Sequence, residues 1–193
     1  ADKKYEEYAY ADAIKVYESL VTEQTTDQGI IQRLANSYYF NADLANALKW
    51  YEKLFTINPD QESEYLYRYA QSLKSVGNYR KSDEVLQKFN EKAVLEKRAD
   101  LIRNDKNYLE QIKENSGRFQ IADAGVNSSY SDYGSTVYNN KIVFTSARDT
   151  GGVVKANFQW TNKSFSRLYT ASLLPDGSVG KPELLVKRKK DKF

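Results

Sequence analysis

Acid–base chemistry in this chain can come only from carboxylates. Its 193 residues include no cysteine, histidine or methionine. That excludes thiol catalysis, imidazole proton transfer, the Ser-His-Asp arrangement and Cys/His metal sites. Four aspartates, Asp123, Asp132, Asp149 and Asp176, stand where strands should end or turn. Aspartate caps such turns through neighbouring backbone groups, which is the plainer account of all four. The loop 147–152 (ARDTGG) offers one carboxylate and two glycines, too few oxygen ligands for calcium. Gly151-Gly152 lacks the GxxxxGK context of a phosphate-binding loop. No catalytic, cofactor-binding or metal-binding residue is assigned, and the chain is expected not to be an enzyme.

What remains is recognition. Gln32, Asn36, Tyr39, Tyr67, Arg68, Gln71 and Lys74 form a set of amides, tyrosines and cations on two helices of a repeat. Counted along that repeat, they fall on the first-helix face and should line a partner-binding groove. Such a groove suits an extended peptide of acidic or polar character. The alternative is a solvated face with no partner.

The elements that position these residues follow from an internal period. Ala13, Tyr17 and Leu20 match Ala47, Tyr51 and Leu54, and then Ser82, Leu86 and Phe89. Ala1, Ala35 and Ala70 keep the same register. A period near 34 residues is the tetratricopeptide length. The small residues let paired helices approach, whereas Tyr38, Trp50 and Tyr51 fill between stacked hairpins. Pro59 stops the second helix of the middle copy, because proline cannot continue the hydrogen-bond ladder. Gly77-Asn78 turns the chain in the third. Since Ala1 already holds the place of Ala35, the chain is expected to begin inside a helix. A further helical stretch, about 93–115, carries Leu101, Ile102, Tyr108, Leu109 and Ile112 at helical spacing. It is expected to cap the stack.

Composition changes near Gly117. Residues 1–118 carry 18 basic against 20 acidic side chains, and residues 119–193 carry 11 against 6. Three glycines precede residue 118 and six follow. Two domains are therefore expected, 1–116 helical and 117–193 all-β. Ser135–Tyr138 and Lys141–Ser146 should pair about an Asn139-Asn140 turn, a dipeptide that tolerates positive φ. Ile142 and Phe144 should share one face, Val143 and Thr145 the other. Ser166–Leu174, the turn Pro175-Asp176-Gly177-Ser178 and Glu183–Lys187 complete four meandering strands. Phe119–Ala122 (FQIA) reads as a leading strand. The expected class is an α+β multidomain chain: a tetratricopeptide α-solenoid followed by an all-β propeller blade.

The string IVFTSARD, followed by an aromatic strand and a DG turn, resembles the TolB-type, WD40-like β-propeller repeat. Preceded by the segments NSYYFNADLANALKWYEKLF and YLYRYAQSLKSVGNYRKSDE, it resembles the N-terminal portion of PorE-like, OmpA-family proteins of gliding and type IX-secreting bacteria. The resemblance spans essentially the whole chain and rests on the order of the two parts more than on any single motif. It implies a periplasmic location at the outer membrane. It also implies further propeller blades and an OmpA-like peptidoglycan-binding domain beyond the residues present. The chain is thus expected to be part of a longer protein. A self-contained two-domain protein, with its sheet packed on the helices, is the alternative.

The implied function is a scaffold whose helical repeats dock an outer-membrane β-barrel protein of the PorP/SprF type. Peptidoglycan would be reached only through the absent domain. A general peptide-binding adaptor is one alternative, and a propeller-based hydrolase is another. Nucleic acid is not an expected partner, because the basic excess sits in one short run, Lys187–Phe193 (KRKKDKF), while residues 119–186 carry six bases against five acids. That run should be solvated, or meet anionic headgroups or an acidic partner. No run of 18 apolar residues exists, so no transmembrane helix is expected.

Overall fold

Apolar residues three and four apart make the first part of the chain helical, and alternating ones make the second a sheet. The computed structural model describes residues 1–22, 24–104, 108–148 and 157–186. Among them are eight helices and a small antiparallel sheet, an α+β architecture. Two compact units form. One is Ala1–Ser116 with the tetrapeptide Gln159–Asn162. The other is the described part of Gly117–Phe158 and Lys163–Phe193.

The helices of the first unit are α1 (Asp2–Glu6), α2 (Tyr10–Leu20), α3 (Gln28–Phe40), α4 (Leu44–Ile57), α5 (Ser63–Ser75), α6 (Tyr79–Lys92), α7 (Lys97–Asn104) and α8 (Tyr108–Glu114). Helix α3 packs on α4, α4 on α5 and α5 on α6. Side chains of Asp27, Asp43 and Asn78 accept from the backbone N–H of Ile30, Asn46 and Lys81, capping α3, α4 and α6. Within the stretch expected to be helical, about 93–115, the described helices are α7 and α8.

The first helix of each pair ends in the same left-handed turn. Tyr8, Ala42 and Gly77, one repeat apart, have φ of 58°, 61° and 77°. After each, the next N–H bonds back to a helix carbonyl: Ala9 to Lys4, Asp43 to Tyr38 and Asn78 to Leu73. Only glycine adopts this conformation without a steric penalty.

The repeat positions form the core. Ala13, Ala35, Ala47, Ala70 and Ser82 are fully buried, as are Leu54 and Phe89. Ser82 replaces the alanine of earlier copies and donates its hydroxyl to the Ala70 carbonyl at 2.9 Å. Leu20, in register with Leu54 and Phe89, is 52% exposed, because α2 stops there and Val21 is extended. Trp160 completes this unit. Its indole N–H donates to the Phe40 carbonyl at 2.6 Å, and its ring stacks on Tyr8 and meets Tyr10 edge-on.

In the second unit, β1 (Asp132–Tyr138), β2 (Lys141–Ser146), β5 (Arg167–Ser172) and β6 (Glu183–Leu184) form an antiparallel sheet in that order. A separate hairpin pairs β3 (Asn157–Phe158) with β4 (Lys163–Ser164). Asn139 and Asn140 have φ of 47° and 56°, the twist that a two-residue hairpin needs. Phe144, Tyr169 and Ala171 are buried with Val126, and Ile142 and Leu184 pack against them. Phe119–Ala122 is not a strand: Phe119 and Ile121 are 83% and 96% exposed. An alternating tetrapeptide without a pairing partner gains too little to hold an extended ladder.

Candidate partner-binding surface

The seven groove candidates lie along two stripes, Gln32-Asn36-Tyr39 on α3 and Tyr67-Gln71-Lys74 on α5, with Arg68 beside the second. Neighbouring helices treat them differently.

Asn36 is 3% exposed. Its amide N–H donates to the Tyr5 hydroxyl at 3.1 Å, and its oxygen accepts from Tyr51 and Arg68, each at 2.8 Å. Burial pushes the Tyr51 hydroxyl well above its ordinary pKa, so it stays a donor. Arg68 also pairs with Glu64 at 3.0 Å and lies 4.7 Å from the centre of the Phe40 ring and 5.8 Å from that of Tyr39. Glu64 then reaches Arg98 at 2.6 Å. Burial would raise the Glu64 pKa, but Arg98 and Arg68 outweigh it and hold the carboxyl low.

The same lock stands one repeat earlier. Tyr17 donates to Asp2 at 2.7 Å and Arg33 pairs with Asp2 at 2.7 Å. Hydrogen bonds from Tyr17 and Arg33 lower the Asp2 pKa. An acceptor, a tyrosine and an arginine thus join successive hairpins twice, as Asp2–Tyr17–Arg33 and Asn36–Tyr51–Arg68. In the third copy Gln71 holds the acceptor's place and buried Leu86 the tyrosine's. Among the described residues the half-buried Gln71 amide has no hydrogen-bond partner.

The remaining candidates differ again. Gln32 donates to Gln61 at 2.9 Å, and Gln61 donates to Gln28 at 3.1 Å, within an amide chain that seals the turn after α4. Tyr67 lies under the Arg98 guanidinium at 4.3 Å, and Lys74 over the Tyr108 ring at 4.5 Å. Tyr39, Tyr67, Gln71 and Lys74 are all half-buried. Asn36 and Arg68 thus join neighbouring helices, while on α5 the half-buried Gln71 amide is left without a hydrogen-bond partner among the described residues. Sequence reasoning missed the lock, although Tyr17/Tyr51 and Asp2/Asn36 keep the repeat spacing and could have signalled it.

The described aspartates of the second unit, Asp123, Asp132 and Asp176, accept from turn N–H groups or from an arginine. Asp123 accepts from the Gly125 N–H at 2.7 Å, and Asp176 from the Ser178 N–H at 3.0 Å. Asp132 accepts from the Ser128 hydroxyl at 2.7 Å and from Arg148 at 3.0 Å. Arg148 also donates to the Ser146 hydroxyl and the Val126 carbonyl, tying the segment before β1 to the end of β2. Asp149, Gly151, Gly152 and the run from Lys187 lie outside the described residues. Among the described residues no three carboxylates gather to hold a metal ion, and no helix is long and apolar enough to cross a membrane.

No protein-family model and no curated protein matches this chain.

Proposed function

We propose that the chain is a non-enzymatic adaptor: a tetratricopeptide-type stack that holds an extended segment of a protein partner, followed by a β-propeller-type sheet. The observation that carries this reading is the recurring lock. Two successive hairpins are joined by the same three-residue interface at the repeat spacing, which is how a solenoid stacks. The third copy lacks the tyrosine, and Gln71 is left with an amide that a peptide backbone can pair. Tyr67 and Lys74 flank it with an aromatic face and a cation, and aromatic side chains are enriched among residues that carry interface energy.

The resemblance to PorE-like, OmpA-family proteins supports the setting: the periplasm, at the outer membrane. The partner there is a β-barrel of the PorP/SprF type, whose short turns and termini are segments that such a stripe can hold. The antiparallel order β1-β2-β5-β6 agrees with a blade, and anchoring to peptidoglycan belongs to an OmpA-like domain outside this chain.

A photo-crosslinking residue at Gln71, in cells that make the whole protein, tests this. Capture of an outer-membrane barrel is expected. Capture of varied soluble proteins alone would replace the barrel with a general peptide-binding role. Crosslinks from the sheet position Tyr133, with none from Gln71, would overturn helical docking altogether.

A further inference from the structure

The first repeat closes its turn with a tyrosine where the later ones have alanine and glycine. Tyr8 stands at φ 58°, in register with Ala42 and Gly77. The left-handed conformation is unfavourable for an L-residue, and a bulky residue held there points to a use. Core packing is not that use, because Tyr8 is 62% exposed. Its ring instead stacks on Trp160, with centroids 6.1 Å apart and planes within 14°. Tyr10 and Phe40 meet the same indole edge-on at 4.9 Å and 6.3 Å, and stack on each other at 5.0 Å. Two backbone groups complete the box. The Phe40 carbonyl, at the end of α3, accepts from the indole N–H at 2.6 Å, and the Ala11 N–H, in the first turn of α2, donates to the Trp160 carbonyl at 3.2 Å. Both are helix-end groups that have no partner within their own helix.

Every wall of this box lies between Tyr8 and Phe40, whereas its occupant arrives from 120 residues beyond Phe40. Gln159–Asn162 belongs to the helical unit and turns through Asn162 at φ 54°. Trp160 is half-buried, and Gln159 and Asn162 are exposed. The indole is thus seated like a ligand in a site with an open rim. We propose that this box is a receptor for a tryptophan-bearing turn of a protein partner, and that the chain's own Gln159–Asn162 occupies it in cis, so that a partner enters only by replacing Trp160. The resident defines the chemistry of the partner. Indole supplies a flat ring to Tyr8 and an N–H to the Phe40 carbonyl; phenylalanine offers the ring without the donor. The tether gives the resident an effective concentration that a partner's segment must exceed. Tryptophan is among the residues that most often carry interface energy. The inference concerns Tyr8, α2 and α3, and does not depend on the role of Gln71.

The full chain carrying Trp160→Ala empties the box. The probe is the peptide N-acetyl-Gln-Trp-Thr-Asn-amide, titrated into the labelled chain and followed by the Tyr10 and Ala11 backbone N–H signals in NMR spectra. Saturable shifts at Ala11 are expected in the variant. The unaltered chain should take the same peptide at least about tenfold more weakly, because a site open about a tenth of the time or less reduces apparent affinity by that fraction. A peptide with 1-methyltryptophan, which keeps the ring and loses the donor, should bind the variant about fivefold more weakly, the scale of one neutral hydrogen bond. If Trp160→Ala fails to fold, Trp160→Phe, which leaves a ring in the box without the bond to Phe40, takes its place in the same comparison. An Ala11 signal unmoved at millimolar peptide, or equal binding to the variant and the unaltered chain, overturns the proposal. Dimers of the unaltered chain that Trp160→Ala abolishes would give the box to a second copy and overturn the partner.

Discussion

Tyr51 donates its hydroxyl to the amide oxygen of Asn36 at 2.8 Å, with Tyr51 fully buried and Asn36 3% exposed. Arg68 shares the same oxygen, so one buried acceptor serves two donors on two other helices. Replacing a buried acceptor with an apolar group strands its donors, and each stranded donor costs about 1–3 kcal/mol. Asn36→Leu should therefore lower the unfolding free energy by about 2–4 kcal/mol in urea denaturation. Asn36→Asp copies the Asp2 lock and keeps both accepting interactions, so it should cost far less. An Asn36→Leu protein as stable as the unaltered one would show that the lock contributes nothing.

Ala42 sits at φ 61°, where its repeat partner is Gly77 at φ 77°. An L-residue in this conformation carries a penalty of about 1 kcal/mol that glycine avoids. No atom would meet a Cβ at Gly77 within 4 Å, so only the backbone decides there. Ala42→Gly should stabilise the chain by up to about 1 kcal/mol, and Gly77→Ala should destabilise it by a similar amount. Thermal melts of the two variants should move in opposite directions; movement the same way would reject the shared turn.

Asp132 and Arg148 face each other with side chains 11% and 19% exposed. Desolvation alone would raise the Asp132 pKa. Hydrogen bonds from Ser146, Ser128 and Arg148 outweigh it and hold the carboxyl well below its ordinary 3.8. The folded state thus binds the proton more weakly than the unfolded chain. The stabilisation is complete above the ordinary pKa and falls away as pH drops beneath it, toward the folded value. Urea denaturation, followed by the NMR signals of Phe144 and Tyr169, should show the sheet unit weakening from about pH 4 downward. Asp132→Asn should flatten that acid-side loss. Arg148→Ala, which leaves a buried carboxylate unpaired, should cost about 3 kcal/mol at neutral pH. An Asp132→Asn profile as steep as the original would assign the acid sensitivity elsewhere.

Local chemistry was legible in the sequence where one residue type decides the outcome. Asn139-Asn140 tolerates positive φ, and Lys141–Ser146 alternates, so that hairpin could be read directly. Ala13, Ala47 and Ser82 had to be small for helices to meet. Leu20 was not legible, because a register gives a position but not whether the helix continues far enough to bury it. Ala9 stands outside the repeated small positions, yet it is 1% exposed as the residue before α2, where chain entry rather than period sets burial. The cover over the candidate residues was not legible for a related reason. Helical spacing puts Asn36 and Gln71 on equivalent stripes, but cover comes from residues far along the chain. Tyr5, Tyr51 and Arg68 close over Asn36; Gln71 lacks the tyrosine.

That difference can be tested by writing the lock into the third copy. Leu86 is 2% exposed and occupies the place that Tyr17 and Tyr51 hold. Leu86→Tyr and Leu86→Phe add nearly the same ring to the same packed space, so any overpacking cost, about 1–3 kcal/mol, applies to both. Only tyrosine brings a hydroxyl toward Gln71. If the third copy is geometrically equivalent to the first two, the tyrosine variant gains a buried hydrogen bond worth about 1 kcal/mol over the phenylalanine variant. The difference between the two, read from urea unfolding, isolates that bond from the strain. The same bond should draw the Gln71 amide inward and reduce crosslinking from the neighbouring stripe, an effect that phenylalanine cannot reproduce. Two variants of equal stability would mean that α5 and α6 do not meet as α3 and α4 do, and that the free amide of Gln71 owes nothing to the missing tyrosine.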